Sequence, residues 1–216
     1  MLYPIPTSSN KEVTTRYVIS TFLKEEGIKK IKNSIDPDKW QDAGVYNEGY
    51  NKEGKASVAS FTTTGRINTE TRKHKLQPLF PIPPDNFPFP EITNLISNVN
   101  SNYWKFDLRY INFMRDTPTI FKYTLGGKFN WHFDFNSDAA DRKLAYSIQL
   151  SDTNDYEGGD LEFFDGDETG KREKDPNLRE KGNIIIFPTY VWHRITPITR
   201  GTRYVMVGWI HGPTYK

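Results

Sequence analysis

The sequence predicts a mainly β fold with flanking helices (α+β), built around a jelly roll. The second half of the chain alternates short segments rich in β-branched and aromatic residues with turns containing glycine or proline. The first hundred residues instead contain two stretches with helical periodicity. The predicted strands are residues 105–114, 119–124, 128–134, 143–151, 160–164, 182–188, 191–196 and 202–210. Eight short strands at this spacing favour an antiparallel sandwich that is open at one end.

The N-terminal region is predicted to contain strands and two helices. Residues 13–23 are rich in β-branched residues and indicate a strand, and residues 40–71 indicate one or two more. The first helix has an apolar face of Ile28, Ile31 and Ile35. The second begins near Pro90, after a proline-rich run that cannot be regular structure, and its predicted buried face is Ile92, Leu95, Ile96 and Val99. Residues 165–181 are nearly all charged or turn-forming and predict an exposed loop.

Length and composition restrict the kind of protein. The 216 residues predict a single domain, 1–216, with residues 1–100 as a supporting region and residues 101–213 as the core. The 29 basic and 27 acidic residues give a net charge of +2, which disfavours a nucleic-acid partner. No apolar segment resembles a signal peptide or a membrane span, so we expect a soluble, cytoplasmic protein. Because cysteine is absent, any metal must be bound by histidine and carboxylate.

A candidate metal site begins at His132 and Asp134. Residues i and i+2 of a strand face the same side, so both side chains can point at one ion. A lone triplet is weak evidence, because 4 histidines and 27 acidic residues in 216 positions supply about half such a triplet per chain by chance.

His193 strengthens the prediction, because it follows a buried strand and lies in an apolar segment without an obvious partner. Two histidines and one carboxylate leave coordination positions open, as non-haem iron(II) oxygenases require. A structural zinc site would need a fourth protein ligand, and neither His74 nor His211 has a neighbouring ligand pattern. His211, near the end of the last strand, is predicted to be a surface residue.

Arg203 opens an otherwise apolar final strand, ten residues after His193. Its guanidinium stays protonated and matches a carboxylate with two parallel hydrogen bonds. The partner could be a protein carboxylate or a bound dicarboxylic acid, and the sequence leaves both open.

Several motifs occur in a defined order. They are Tyr123-Thr-Leu-Gly-Gly leading to His132, Tyr156-Glu-Gly-Gly-Asp-Leu161, Ile186-Phe187-Pro188, and the block from His193-Arg-Ile-Thr-Pro to Gly201-Thr-Arg203. Over roughly residues 100–212 the chain resembles the iron(II)/2-oxoglutarate oxygenases, in particular the prolyl-hydroxylase-like branch with bacterial and phage members. If the gene is phage-borne, the cytoplasm would be that of the host.

The resemblance implies a double-stranded β-helix, with residues 101–213 as the Fe(II)/2-oxoglutarate dioxygenase core. It implies Fe(II), 2-oxoglutarate and O₂, with ascorbate as activator, and hydroxylation of a C–H bond in a prolyl or other peptidyl residue with release of succinate and CO₂. Tyr123 would bind the distal 2-oxoglutarate carboxylate beside Arg203, and Leu161 and Trp209 would line the pocket. Strand 143–151 has large residues on one face, so Ser147 and Gln149 on the other would face the site, with Gln149 near the co-substrate.

Other functions remain open. Nucleic-acid demethylases of this fold carry a second arginine six residues after the first, whereas this chain has Trp209 there. A hydroxylase of a free amino acid or small metabolite is the second hypothesis, and a non-catalytic cupin-like binding module the third. The loops expected to select the substrate, a peptide, protein or small molecule, are residues 62–80 and 135–142. The sequence leaves the oligomeric state undetermined.

Overall fold

A computed structural model describes residues 17–43, 69–79, 86–135, 139–164 and 175–214. Two α-helices lie within these residues, α1 (Glu25–Asn33) and α2 (Phe89–Tyr103). The strands described before residue 140 are β1 (Val18–Thr21), β2 (Gln41–Asp42), β3 (Arg72–Lys73), β4 (Lys75–Pro78), β5 (Thr119–Tyr123) and β6 (Lys128–His132). Those after it are β7 (Arg142–Gln149), β8 (Tyr156–Gly158), β9 (Leu161–Phe163), β10 (Asn183–Pro188), β11 (His193–Ile195), β12 (Ile198–Gly201) and β13 (Arg203–His211).

The strands form two larger antiparallel sheets and one small pair. The seven-stranded sheet has the order β1-β10-β7-β13-β5-β4-β2, and the four-stranded sheet has the order β3-β6-β11-β9. Strands β8 and β12 pair separately. The predicted mainly β fold with flanking helices is confirmed, and the two facing sheets are the jelly roll in its double-stranded β-helix form.

The hydrophobic core lies in two layers on opposite faces of the seven-stranded sheet. One layer packs against the helices and includes Leu144, Tyr146, Ile148 and Leu150, as the alternation in this segment predicts. The other lies between the two sheets and includes Tyr123 and Leu161. The Ser147 and Gln149 side chains alternate with the first group and are therefore on the inner face.

Both predicted helices are present and pack on the outer layer. Ile28 and Ile31 are buried, but α1 ends at Asn33, so Ile35 packs against the same core from beyond the helix. Two glutamates in the first turn of α1 and two lysines in its last turn complement the helix dipole. In α2, Ile92, Ile96 and Val99 are buried and Leu95 is half-buried. Neither described helix combines the length and apolar character that crossing a membrane requires.

The predicted strand at residues 105–114 is wrong. Apart from one isolated bridge between Tyr110 and His211, the segment has no strand pairing. Its apolar side chains explain the error, because they pack against the helix-side core instead of marking one face of a strand. These side chains are Phe106, Leu108, Ile111 and Phe113.

The remaining differences are in boundaries and short elements. In the described part of residues 13–23, the strand is limited to Val18–Thr21. The strand predicted at residues 191–196 starts only at His193, because a turn links Val191 to Pro188. Residues 72–73 and 75–78, expected in a loop, form β3 and β4, while residues 44–68 and 136–138 lie outside the described residues. In the predicted exposed loop 165–181, only residues 175–181 are described, and Leu178 there is buried. The short strands β8 and β12 were not predicted.

The double glycine of the Tyr156–Leu161 motif makes a tight turn possible. Gly158 and Gly159 both have positive φ, 69° and 64°. A Cβ at Gly158 would lie 2.0 Å from the Pro197 carbonyl oxygen. Glycine is therefore required where this turn approaches the chain after β11.

His211 is not a surface residue, contrary to the sequence prediction. It is fully buried, and its Nε2 donates to the Asp116 carboxylate over 2.7 Å. Asp116 also accepts from Arg142, with Nε–Oδ2 at 2.8 Å and Nη2–Oδ1 at 2.5 Å. Position near the strand end suggested exposure, but residues 109–110 cover this end of β13 through hydrogen bonds to His211.

Burial alone would raise the pKa of the Asp116 carboxyl. Hydrogen bonds from Arg142 and His211 outweigh burial and hold that pKa well below its usual value. Asp116 is therefore ionised in the folded protein at neutral pH and neutralises the partly buried Arg142.

Replacing Asp116 by asparagine is expected to lower the free energy of unfolding at pH 7 by about 3–5 kcal/mol, because Arg142 would lose a buried anionic partner. Since folding lowers the Asp116 pKa, its contribution is complete above the unfolded-state pKa of about 3.9 and is lost as pH falls below it. Urea unfolding at neutral and acid pH should show the difference between wild type and variant shrinking at acid pH.

The control is Glu157→Gln, which removes an exposed ion pair with Arg200. It should change stability by less than about 1 kcal/mol. An Asp116→Asn effect as small as that of the control would contradict a stabilising role for the buried network.

Candidate metal and co-substrate site

Three predicted ligands converge at the open end of the sandwich. His132 ends β6, Asp134 follows two residues later, and His193 begins β11. His132 Nε2 lies 3.8 Å from Asp134 Oδ1, and His193 Nε2 lies 3.9 Å from Asp134 Oδ2. One ligand atom from each residue lies within 4.8 Å of the others. Among the described residues, this is the one group of three such side chains close enough to bind a metal ion.

The strand register explains the approach of the two histidines. His132 and His193 are direct partners in the antiparallel pairing of β6 with β11, and their ring centroids are 4.2 Å apart. Asp134 is fixed by its backbone, whose N–H donates to Thr189 and whose carbonyl accepts from Arg142 Nη1. Most of the geometry therefore comes from backbone pairing.

Hydrogen bonds set the tautomer of both imidazoles. His132 Nδ1 lies 2.7 Å from the Asn130 carbonyl oxygen, and His193 Nδ1 lies 2.9 Å from the Val191 carbonyl oxygen. A carbonyl oxygen only accepts, so each Nδ1 carries the proton and each Nε2 keeps a free lone pair facing Asp134. Such carbonyl support is typical of metal-binding histidines.

The protonation states also suit a metal. Burial, reinforced by the nearby His193, lowers the pKa of His132 to about 3, so this imidazole is neutral at physiological pH. Burial would raise the pKa of Asp134, but His193, His132 and Arg142 outweigh it and lower that pKa, with a further contribution from a Trp209 hydrogen bond. A neutral imidazole and an ionised carboxylate are the forms that bind divalent cations.

A second feature of the site is the buried guanidinium of Arg203. Only 1% of Arg203 is exposed, and its Nη2 donates to Gln149 Oε1 over 2.8 Å. Its Nη1 is buried and has no hydrogen-bond partner among the described residues. Tyr123 is paired with Arg203 in the sheet, and the Arg203 Cζ lies 5.5 Å from the centre of the Tyr123 ring. Burial raises the pKa of Tyr123 to about 12, so its hydroxyl stays protonated.

The other predicted site residues lie on the same inner side. Gln149 donates to Ser147 Oγ over 3.1 Å, and both are buried. Leu161 lies in the inner core layer beside the site strands. Trp209 is buried beneath Arg142, whose Cζ lies 4.1 Å from the indole centre. The roles predicted for these residues stay predictions.

Charged residues that support the site were not predicted from the sequence. Arg142 contacts both the Asp134 carbonyl and Asp116. His74, dismissed as a metal ligand, is buried beside Tyr123. A charged residue at the start of an apolar strand, as at Arg142, was the available signal.

Residues 118–211 match the 2OG-Fe(II) oxygenase superfamily. A PKHD-type hydroxylase of Synechococcus sp. (strain CC9605) is 37% identical over 87 residues, covering 39% of this chain and 37% of that protein. Another from Idiomarina loihiensis is 29% identical over 103 residues, covering 45% of each chain. The matches thus span less than half of these relatives.

Solved structures share the fold across nearly the whole chain. A Pseudomonas putida prolyl-4-hydroxylase superposes with a TM-score of 0.63 at 15% identity, covering 93% of this chain and 94% of that one. A viral collagen prolyl hydroxylase from Paramecium Bursaria Chlorella virus-1, in a 2OG complex, gives 0.57 at 16% identity, covering 92% and 97%. The family predicted from the motifs agrees with these comparisons: residues 118–211 match the 2OG-Fe(II) oxygenase superfamily, the curated relatives above are PKHD-type hydroxylases, and the fold is similar to that of prolyl hydroxylases.

The superfamily implies Fe(II) and 2-oxoglutarate, and the residues present fit both groups. Two imidazole Nε2 atoms and a carboxylate form the donor set for the metal. The unpartnered Nη1 of Arg203 is a buried cationic donor that a carboxylate would satisfy.

Replacing His193 by alanine is expected to weaken Mn(II) binding by more than about 100-fold, because loss of a direct ligand exceeds the 10–100-fold cost typical of losing a supporting group. Calorimetric titration with Mn(II) measures the change. Trp192→Ala is the matched control, since the neighbouring Trp192 side chain is half-exposed and its indole has no lone pair with which to bind a metal. Equal Mn(II) affinity in wild type and His193→Ala would show that the ligands are misassigned.

Proposed function

We propose that this protein is an Fe(II)- and 2-oxoglutarate-dependent dioxygenase that hydroxylates a C–H bond, in a prolyl or other peptidyl residue, with release of succinate and CO₂. The observation that carries the proposal is that the site contains both the His132, Asp134 and His193 cluster and a buried guanidinium. That guanidinium, of Arg203, has one terminal nitrogen without a hydrogen-bond partner among the described residues. The cluster suits the metal, and the cation suits the far carboxylate of a chelating dicarboxylic acid.

When bound, the metal and 2-oxoglutarate supply the oxidising chemistry. The chain would supply ligation and orientation. His132 and His193 present Nε2 lone pairs, with each ring oriented by its Nδ1 hydrogen bond, and Asp134 presents its carboxylate.

Arg203 and the Tyr123 hydroxyl would bind the distal carboxylate, with Gln149 holding the guanidinium in place. Leu161 and Trp209 would exclude water from the pocket, and Ser147 would lie beside Gln149. Ascorbate is proposed as the activator.

The surface beside the metal ligands supports a peptide substrate. Trp131 and Phe133 flank His132 in the sequence, and Trp192 precedes His193. Phe164 contacts Trp131 at 6.0 Å between ring centroids, and these four aromatic residues are called the rim. Phe133 and Trp192 are 42% and 45% exposed and meet edge to face at 5.2 Å. Exposed aromatic surfaces commonly dock proline-containing segments, whose rings pack on them.

Purified protein with Fe(II), 2-oxoglutarate and ascorbate is expected to release succinate, at least slowly, even when no substrate is present.

Arg203→Ala should weaken 2-oxoglutarate binding about 10–100-fold, because one or two charge-assisted hydrogen bonds are lost, and should leave the Mn(II) affinity unchanged. Calorimetry in the presence of Mn(II) measures both affinities. Arg200→Ala is the control, because Arg200 is exposed and paired with Glu157. Failure of wild type to bind 2-oxoglutarate would refute the proposed function.

Incubation with a library of proline-containing peptides is expected to yield products heavier by one oxygen atom, detected by mass spectrometry.

Trp192→Ala should raise the peptide KM several-fold and leave substrate-free succinate release unchanged, because the rim would contact the substrate and not the metal. Oxidation of free amino acids with no peptide product would favour the small-metabolite hydroxylase instead. An unchanged peptide KM in Trp192→Ala would remove the rim from substrate binding.

A further inference from the structure

His74 has a buried hydrogen-bond donor for which none of the described residues provides an acceptor. It lies between β3 and β4, and 6% of it is exposed. Its Nε2 accepts from Arg72, with Nη2 at 3.1 Å and Nε at 3.3 Å. Because arginine nitrogens only donate, this Nε2 must be unprotonated and the proton must be on Nδ1. His74 Nδ1 is buried and has no hydrogen-bond partner in the part of the chain that the structure describes.

The surroundings keep His74 neutral. Burial lowers the pKa of His74 well below its usual value, and the charges of Arg72, His132 and Arg203 lower it further. The imidazole therefore stays a neutral donor near two arginines. A neutral donor can bind an anion without adding a third buried positive charge.

The sheet places His74 beside the co-substrate residues. Strand β4 pairs with β5 so that Lys75 faces Lys122, and extending this register by one residue puts His74 beside Tyr123. The two ring centroids are 4.5 Å apart. Tyr123 is in turn the direct partner of Arg203 on β13. His74, Tyr123 and Arg203 thus form a row across neighbouring strands.

At each end of this row, a buried donor lacks a hydrogen-bond acceptor among the described residues. These two donors are His74 Nδ1 and Arg203 Nη1. A buried unsatisfied donor is costly, so one acceptor that served both ends of the row would stabilise the site. A carboxylate has two oxygens and can accept from several donors at once.

We infer that His74 is a specificity-determining residue of the co-substrate site, donating from Nδ1 to the distal carboxylate of 2-oxoglutarate alongside Arg203 and Tyr123. This inference rests on the proposed function. Arg72 is a positioning residue in this arrangement, because its hydrogen bonds hold the proton on the His74 nitrogen that is free to donate.

Two substitutions separate the nitrogens of His74. Asparagine puts an amide N–H near the Nδ1 position, whereas glutamine puts its amide near Nε2 and leaves Nδ1 unreplaced. Calorimetry with Mn(II) is expected to show 2-oxoglutarate binding about tenfold weaker in His74→Gln and within about threefold of wild type in His74→Asn. Mn(II) affinity should be unchanged in both. Lys75→Gln, at the neighbouring exposed position, is the control.

A second ligand isolates the distal carboxylate. 2-Oxobutanoate has the same metal-chelating end but lacks the second carboxylate, so His74→Gln should bind it as well as wild type does. Equal losses for 2-oxobutanoate and 2-oxoglutarate, or no loss for either, would overturn the role of His74. If wild type binds no 2-oxoglutarate, the proposed function fails first. If Arg203→Ala weakens binding and His74→Gln does not, only the inference about His74 fails.

A measurement on the wild-type protein avoids any folding defect of the variants. With Zn(II) as a diamagnetic metal and ¹⁵N-labelled histidine, addition of 2-oxoglutarate should shift the His74 Nδ1–H resonance, and 2-oxobutanoate should leave it in place. An Nδ1–H signal that 2-oxoglutarate does not move would refute the contact.

Discussion

The antiparallel pairing of β6 with β11 is the interaction on which the site depends. It sets His132 directly opposite His193, so the two imidazoles approach through backbone register alone. A shift of one residue would turn one histidine to the other face of the sheet and abolish the cluster. The flanking strands β3 and β9 complete the four-stranded sheet and hold this register from both sides. The Nδ1 hydrogen bonds then adjust ring orientation within a geometry that the sheet already provides.

Arg142 and Arg203 illustrate how the same side chain serves different purposes. Arg142 is partly buried and has a carboxylate partner in Asp116, and it also donates a hydrogen bond to the Asp134 carbonyl. Arg203 is fully buried, yet its partner is the neutral amide of Gln149, and one of its terminal nitrogens has no partner among the described residues. A buried cation without an anion is unfavourable, and that makes the site selective for a ligand that carries one. The satisfied arginine stabilises the fold, whereas the unsatisfied one prepares it for a ligand.

Much of the fold could be predicted because burial and strand period appear directly in the sequence. Alternation in residues 143–151 identified the inner and outer faces of β7, and helical spacing identified Ile28, Ile31 and the α2 face. The segment 105–114 has an equally apolar pattern, but its backbone pairs with no strand beyond one bridge. The hydrophobic pattern of a segment predicts which side chains are buried. It does not determine whether the backbone of that segment is hydrogen-bonded into a sheet.

The sequence by itself determined the candidate donor set: without cysteine, a metal can be bound only by histidine and carboxylate, and the ordered motifs around His132, Asp134, His193 and Arg203 carry the resemblance to the iron(II)/2-oxoglutarate oxygenases. Only the tertiary structure decided the environment of the remaining histidines. His211 is buried against Asp116, 95 positions away in the chain, and His74 reaches Tyr123 through pairing between β4 and β5. Contacts across such separations depend on which strands become neighbours, and no local pattern encodes that choice. The same residue type is therefore a candidate metal ligand at positions 132 and 193, a structural donor at position 211 and a proposed carboxylate donor at position 74, according to its neighbours in the folded protein.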